Sequence, residues 1–197
     1  MTYWFTADCH IGHEKIIEYE KRPFCSVEEM DYTIFENWRA YLRPGDTFCV
    51  VGDIAIKKKH ALRALNKIPR GVHTCFIFGN HEDDHRGAIL RSPRVMWAGD
   101  LKTIKVEGQH LFLFHYACRV WKRHTKNSWQ LCGHSHGNLE PWENQLDVGV
   151  DNVAKLVGEY RPLSFYEVKK IIELASHPKT LAKRYGKAPS WVGSNNF

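Results

Sequence analysis

The sequence predicts one layered α/β domain, and three observations lead there. Short apolar runs rich in β-branched and aromatic residues recur along the chain, helical patterns alternate with them in the first half, and metal-competent polar residues stand directly after several of the runs. The strand candidates are residues 3–7, 47–51, 72–78, 101–106, 110–114, 129–132 and 145–150. A helix over 26–42 is predicted because Val27, Met30, Ile34, Trp38 and Leu42 recur three and four residues apart, and Ser26 with Glu29 forms a capping box at its start. Ser164 with Glu167, just after Pro162, opens a late helix that runs to about residue 176 with Val168, Ile171, Ile172 and Ala175 as its apolar stripe. Residues 57–67 and 84–91 read as shorter helices. The order is β-α-β-α-β-α, then strands and loops, then the late helix.

At 197 residues, 43% hydrophobic and 25% charged, the chain has the size and composition of a single core. Residues 1–176 are expected to form a catalytic domain, and 177–197, basic and then rich in Gly, Ser and Asn, a C-terminal tail with solvated lysines. The longest apolar runs, 47–51 and 74–78, fall far short of the roughly 20 residues a membrane span needs. The start of the chain has neither a basic region nor a cleavable apolar stretch, so the expected compartment is the cytoplasm, with no membrane partner. Six cysteines are scattered without a Cys-x-x-Cys pair and read as reduced; Cys49, Cys75 and Cys132 lie in apolar runs, as core residues do. A net charge of +6 suits phosphate-bearing partners and a solvated surface equally.

The residues directly after the strands carry the chemistry. Residues 3–7 run into Asp8-Cys9-His10, 47–51 into Gly52-Asp53, and 72–78 into Gly79-Asn80-His81-Glu82. Residues 110–114 deliver His115, and 129–132 deliver Gly133-His134-Ser135-His136. Open α/β sheets place their sites at these C-terminal strand ends. Carboxylates, imidazoles and an amide oxygen make the mixed N/O shell that manganese, iron, zinc, nickel or cobalt accepts, whereas magnesium alone wants more oxygen. Singly, each signal has a plain reading: Asp8 as a helix cap, Asn80 as a turn residue, His115 as an interior histidine, and Asp-x-His or His-x-His as chance. Five such segments in order at strand ends favour metal binding.

These residues resemble the five ordered motifs of the calcineurin-like metallophosphoesterases: Asp8-x-His10, Gly52-Asp53, Gly79-Asn80-His81-Glu82, His115 and Gly133-His134-x-His136. The resemblance covers about residues 1 to 175. The opening Phe5-Thr6-Ala7-Asp8-x-His10-Ile11-Gly12-His13, with Leu146-Asp147-Val148-Gly149-Val150-Asp151 and Arg161-Pro162, is similar to small bacterial and phage members. It implies a two-sheet β-sandwich flanked by helices (αββα) and two divalent transition ions, manganese first. Carried over, Asp8, His10 and His136 would bind one ion, Asn80, His115 and His134 the other, and Asp53 would bridge. A hydroxide shared by the ions would be the nucleophile. Asn80 would also hold the phosphate, and His81 would protonate the leaving oxygen. One branch departs: the Ser/Thr protein phosphatases carry Asp-Arg-Gly where this chain has Asp53-Ile54-Ala55. The membrane-binding helical lid of lipid-directed relatives is absent too.

The leading expectation is hydrolysis of phosphodiesters of nucleotide or cyclic-nucleotide type, a small-molecule partner. A phosphomonoesterase with the same site is the nearest rival; a nuclease, favoured only by charge, and a non-catalytic scaffold come after it. Oligomeric state is not legible. Glu82 or Asp83 would either orient His81 or start the next helix. His13 would reach the substrate phosphate or pack beside the site. Arg119, Lys122, Arg123 and Lys126, with Trp121 and Trp129 nearby, would form either a solvated loop or a phosphate clamp with an aromatic platform. His60, His73, His85, His110, His124 and His177 are expected on the surface.

Overall fold

The computed structural model describes residues 1–140 and 142–175, so the expected tail at 177–197 lies outside the described residues. Strand β2 (Thr47–Val51) shows why the chain layers as it does, because it is buried at every position and therefore needs cover on both faces. Side chains alternate across a strand. Phe48 and Val50 pack into a helical layer with Met30, Ile34, Trp38 and Leu65, while Cys49 and Val51 pack with Leu111, Leu113 and Leu131 of a second sheet.

The first sheet has the order β4-β3-β2-β1-β9, built from β1 (Tyr3–Thr6), β2, β3 (His73–Ile77), β4 (Val95–Gly99) and β9 (Leu163–Ser164). Strands β1 to β4 are mutually parallel and β9 is antiparallel to β1. The second sheet has the order β5-β6-β7-β8, from β5 (Leu101–Val106), β6 (Gln109–Phe114), β7 (Trp129–Cys132) and β8 (Gln145–Asp147). Strand β5 is antiparallel to β6, whereas β6, β7 and β8 run parallel. Helices α2 (Val27–Tyr41) and α3 (Lys58–Lys67) cover the outer face of the first sheet through Met30, Ile34, Trp38, Ala61, Ala64 and Leu65. Helix α6 (Phe165–Ala175) joins the inner core through Phe165, Val168 and Ile172. This is the expected αββα architecture in one domain. Among the described residues no helix is long and apolar enough to cross a membrane.

Several local expectations are corrected. Residues 145–150 are not one strand: β8 ends at Asp147 and Val150 opens helix α5 (Val150–Val157). The alternating Leu146, Val148 and Val150 imitate a strand, but Val150, Val153 and Val157 continue at helical spacing to the left-handed Gly158 that ends the helix. The helix expected over 84–91 begins earlier, as a 3-10 turn at Asn80–His85 that leads into α4 (Arg86–Leu90). Helix α1 (Lys15–Tyr19) and strands β4 and β9 have no counterpart in the sequence reading, being short or half-exposed. Both caps are present. Ser164 and Glu167 exchange both bonds of the box, while Ser26 accepts from Glu29 N but Glu29 reaches back one residue further, to Cys25 N.

The free cysteines include the buried Cys49, Cys75 and Cys132, packed as core residues. His85 is buried at 4% exposure, against the surface expectation, and His60 packs under the Gly12 turn.

Candidate metal centre

The parallel strands β1, β2 and β3 of one sheet and β6 and β7 of the other end on the same side of the sandwich, and the turns after them carry all eight candidate residues. The sheets are stitched together there. Past β1, Ala7 pairs with Gly149; Ala7 N donates to Val148 O (3.0 Å), and Val148 N donates to Cys132 O at the end of β7 (2.8 Å). The β1 and β2 turns run side by side through Asp8 N to Gly52 O and His10 N to Asp53 O, both 3.1 Å.

Five candidate ligands occupy left-handed backbone: Asp8 (φ 54°), His10 (51°), Asp53 (52°), His134 (68°) and His136 (51°). Such a conformation costs a non-glycine residue free energy and persists where surroundings enforce it, most often at functional sites. The enforcing contacts are visible. The Glu82 carboxylate, 0% exposed, accepts from Asp53 N (2.9 Å), Ile54 N (3.0 Å) and Gly79 N (2.8 Å), locking the β2 turn to the β3 turn. Asp8 accepts from His134 N at 2.9 and 3.0 Å, locking the β1 turn to the β7 turn. Two glycines make room: a Cβ on Gly52, itself at φ 90°, would stand 2.2 Å from His115 Nδ1, and one on Gly133 would stand 2.6 Å from Asp8 Oδ2.

The side chains converge into sets whose donor atoms lie within 4.8 Å of one another: Asp8 with His10 and His136, Asp53 with His115 and His134, and His10 with Asp53 and His81. Asp53 Oδ2 is central, at 3.4 Å from His115 Nε2, 3.7 Å from His81 Nε2 and 4.0 Å from His10 Nε2. Its other oxygen accepts from His81 N at 3.1 Å. Ring nitrogens are aimed. His115 Nδ1 is hydrogen-bonded to Val51 O (2.8 Å) and His136 Nδ1 to Asp151 Oδ2 (2.7 Å), leaving Nε2 of each for the centre. Asn80, exposed, opens the 3-10 turn at the same rim.

The residues fit a cation. Both ring nitrogens of His10 and Nε2 of His115 are buried without a hydrogen-bond partner, a costly state that a coordinated ion would relieve. Electrostatics agree. Burial, reinforced by the Asp147 carboxylate, pushes Asp8 up to about 8. At Asp53 burial works upward too, but the imidazoles beside it, His115 at 3.4 Å first and then His10, outweigh it and hold the carboxylate down at about 2. His115 is opposed by burial yet raised to about 9 by Asp53 and Asp8. Without cations, protons are retained where carboxylates and imidazoles crowd.

Around the centre, Glu82 serves the backbone and Asp83 pairs with Arg86 (3.1 Å), so neither holds the His81 ring. His13 stands beside the centre, its ring 5.8 Å from that of His10. The basic loop does not bring its two tryptophans to the site: Trp121 is buried with Nε1 bonded to Ser128, and Trp129 lies in the inner core. Lys122 and Arg123 line a groove with Lys105 and His110, at the opposite end of β6 from His115. Arg119 lies over Trp142, 4.9 Å from the ring centroid. Sequence reasoning missed Arg22 and the role of Asp151, which together hold His136 and the Asp8 turn. Asp151 ends the Leu146 to Asp151 segment, but nothing local marks Arg22, whose carboxylate partner lies 129 residues away.

No family model matches the chain. An uncharacterised protein of Methanocaldococcus jannaschii is 26% identical over 187 residues, covering 90% of this chain and 95% of that protein. The crystal structure of a protein of unknown function from Aquifex aeolicus superposes with TM-score 0.66 at 23% identity, over 87% of this chain and 99% of that one. YfcE, a phosphoesterase from E. coli, aligns with TM-score 0.43 at 16% identity over 76% of this chain and 78% of its own, too remote a likeness to carry inference. The chain therefore has the two-sheet α/β fold seen in the Aquifex protein, with clusters of histidine and aspartate able to hold metal at its strand ends.

Proposed function

We infer that the chain is a metal-dependent phosphoester hydrolase with two divalent transition ions, and that phosphodiesters of nucleotide type are its preferred substrates. The observation that carries this reading is Asp53 Oδ2 standing between the Asp8–His10–His136 and His115–His134 sets, from where one carboxylate could serve two cations. Asp8, His10 and His136 would hold one ion, Asn80, His115 and His134 the other, with Asp53 shared; manganese is the first candidate, then iron, zinc, nickel or cobalt. Bound ions would supply Lewis acidity and an activated water. The protein's own part is to fix the donors on strained, cross-braced turns before any substrate arrives. His81, half-exposed at the rim, would give a proton to the leaving oxygen, and Asn80 would hold a phosphoryl oxygen. A second reading of His81, as a donor to metal, is favoured by its set with His10 and Asp53.

Diester preference is argued from charge. A monoester brings about two negative charges and rewards a cationic clamp, a diester brings one. Among the basic side chains that could make a clamp, Arg86 pairs with Asp83 and Asp100, Arg119 lies over Trp142, and Lys122 and Arg123 line the groove at the other end of β6. The experiment compares kcat/KM with manganese for bis-aryl and mono-aryl phosphates, then for cyclic nucleotides against nucleoside monophosphates. A tenfold advantage for the monoester in both pairs overturns the diester assignment.

A further inference from the structure

The mechanism leaves one buried charge unused. Arg22 is 3% exposed, yet every nitrogen of its guanidinium is engaged: Nε donates to Asp151 Oδ1 (2.8 Å), Nη2 to Asp151 Oδ2 (2.7 Å) and Asp8 O (2.8 Å), and Nη1 to Cys9 O (3.0 Å). A buried ion pair is tolerated only when satisfied to this degree, and removing one partner is far costlier than never having had the pair. Asp151, 4% exposed in the first turn of α5, is thus held by Arg22, and its Oδ2 in turn accepts from His136 Nδ1 (2.7 Å). One guanidinium therefore clamps the carbonyls of the strained Asp8 turn and, through Asp151, the imidazole that meets Asp8 and His10.

The other set has no such support. His134 is exposed, its ring packs against Tyr116 at 4.7 Å between centroids, and neither ring nitrogen has a hydrogen bond among the described residues. His115 leans on a neutral carbonyl, Val51 O. A carboxylate behind an imidazole fixes its proton on Nδ1, frees Nε2 and strengthens it as a donor more than a carbonyl does.

We propose that Arg22 and Asp151 are positioning residues that make the Asp8–His10–His136 set the tighter of two unequal cation positions, the set containing His134 being the weaker. This rests on the two-metal reading. The relay presents His136 as one tautomer before any ion binds, while His134 must be ordered by the ion itself.

Two measurements on the full chain test this. In the metal-free wild type, at a pH high enough for the His136 imidazole to be neutral, long-range proton–nitrogen NMR should show its proton on Nδ1 and a bare Nε2. Manganese titration monitored by calorimetry should resolve a tight and a weak step. Asp151→Asn sets an amide N–H against an Arg22 N–H in either orientation, breaking the relay; it should weaken the tight step about 10- to 100-fold and leave the weak step in place. Arg22→Lys, which keeps the charge but not the fork, should lose less. His134→Ala should remove the weak step alone. A folded Asp151→Asn chain with a wild-type tight step, or equal weakening of both steps, overturns the proposal. Should that variant fail to fold, the wild-type spectrum still decides, because a neutral His136 whose single proton sits on Nε2 refutes the relay. A wild type that binds one ion only would defeat the two-metal reading while leaving the tautomer result standing.

Discussion

Replacing Glu82 by glutamine tests whether the strained Asp53 turn is held from behind. Three backbone N–H groups converge on this fully buried carboxylate at 2.8 to 3.0 Å, two on Oε2 and one on Oε1. Glutamine keeps one acceptor and turns the other into a donor facing a donor. The least damaging arrangement leaves one buried N–H unpaired and opposed, at a cost of about 1–3 kcal/mol for the orphan and a comparable loss in charge-assisted strength at the remaining bonds. Taken together, about 3 kcal/mol is expected, which for a chain of this length lowers Tm by roughly 6–12 °C. The variant should also bind manganese more weakly, because Asp53 would be the shared ligand and its backbone is what Glu82 fixes. Thermal unfolding by circular dichroism, with and without manganese, reads both effects. A Glu82→Gln chain melting within a degree of wild type would show that the turn is held by other contacts.

Three further outcomes rest on the same geometry. Asp53→Ala should lose both ions' common carboxylate and at least a thousandfold of activity, whereas His81→Ala should keep its metal content and lose about 10²- to 10⁴-fold, most on substrates with poor leaving groups; a metal-depleted His81 variant would instead make His81 a ligand. In the metal-free chain stability should fall between pH 6 and 9. His115, raised from 6.5 to about 9, stabilises fully below its ordinary value and loses that contribution as pH rises through about 9; Asp8, raised from 3.8 to about 8, acts in the same direction. The two together are worth on the order of a few kcal/mol, so the Tm gain on adding manganese should widen from pH 6 to 9, and a gain that shrinks would contradict these assignments. Lys122→Ala with Arg123→Ala should leave kcat/KM for a bis-aryl phosphate within about twofold, since the pair lines a groove at the far end of β6; a tenfold loss would bring the loop back to the site.

The sequence carried the layered fold and the placement of all eight candidate residues after the strands, because both are written locally. β2, β5 and β7 were legible to the residue, β2 and β7 as apolar runs buried at every position and β5, largely exposed, through its β-branched Thr103, Ile104 and Val106. The strand-end residues were legible for a related reason: a polar residue directly after such a run sits at a sheet edge whatever the tertiary detail. The short or half-exposed α1, β4 and β9 were not, since their stability comes from the neighbours they pack on rather than from their own period. Residues 145–150 misled because apolar alternation is shared by a strand and by the entry to an amphipathic helix. Arg22 was invisible for a different reason. An arginine among charged neighbours looks solvated until a carboxylate 129 residues away closes on it, and no local pattern encodes that pairing. Glu82 was left between orienting His81 and starting the next helix, and the second holds: its carboxylate accepts from Gly79 N at the head of the 3-10 turn as well as from Asp53 N and Ile54 N.

Metal analysis of the active chain tests the two-cation centre most directly. Purified protein, loaded with manganese, freed of excess and assayed on a bis-aryl phosphate in the same sample, should carry two ions per chain at full activity. Chelation should abolish turnover and manganese should restore it. A fully active sample holding one ion or none per chain would contradict the shared role of Asp53, whatever the substrate proves to be.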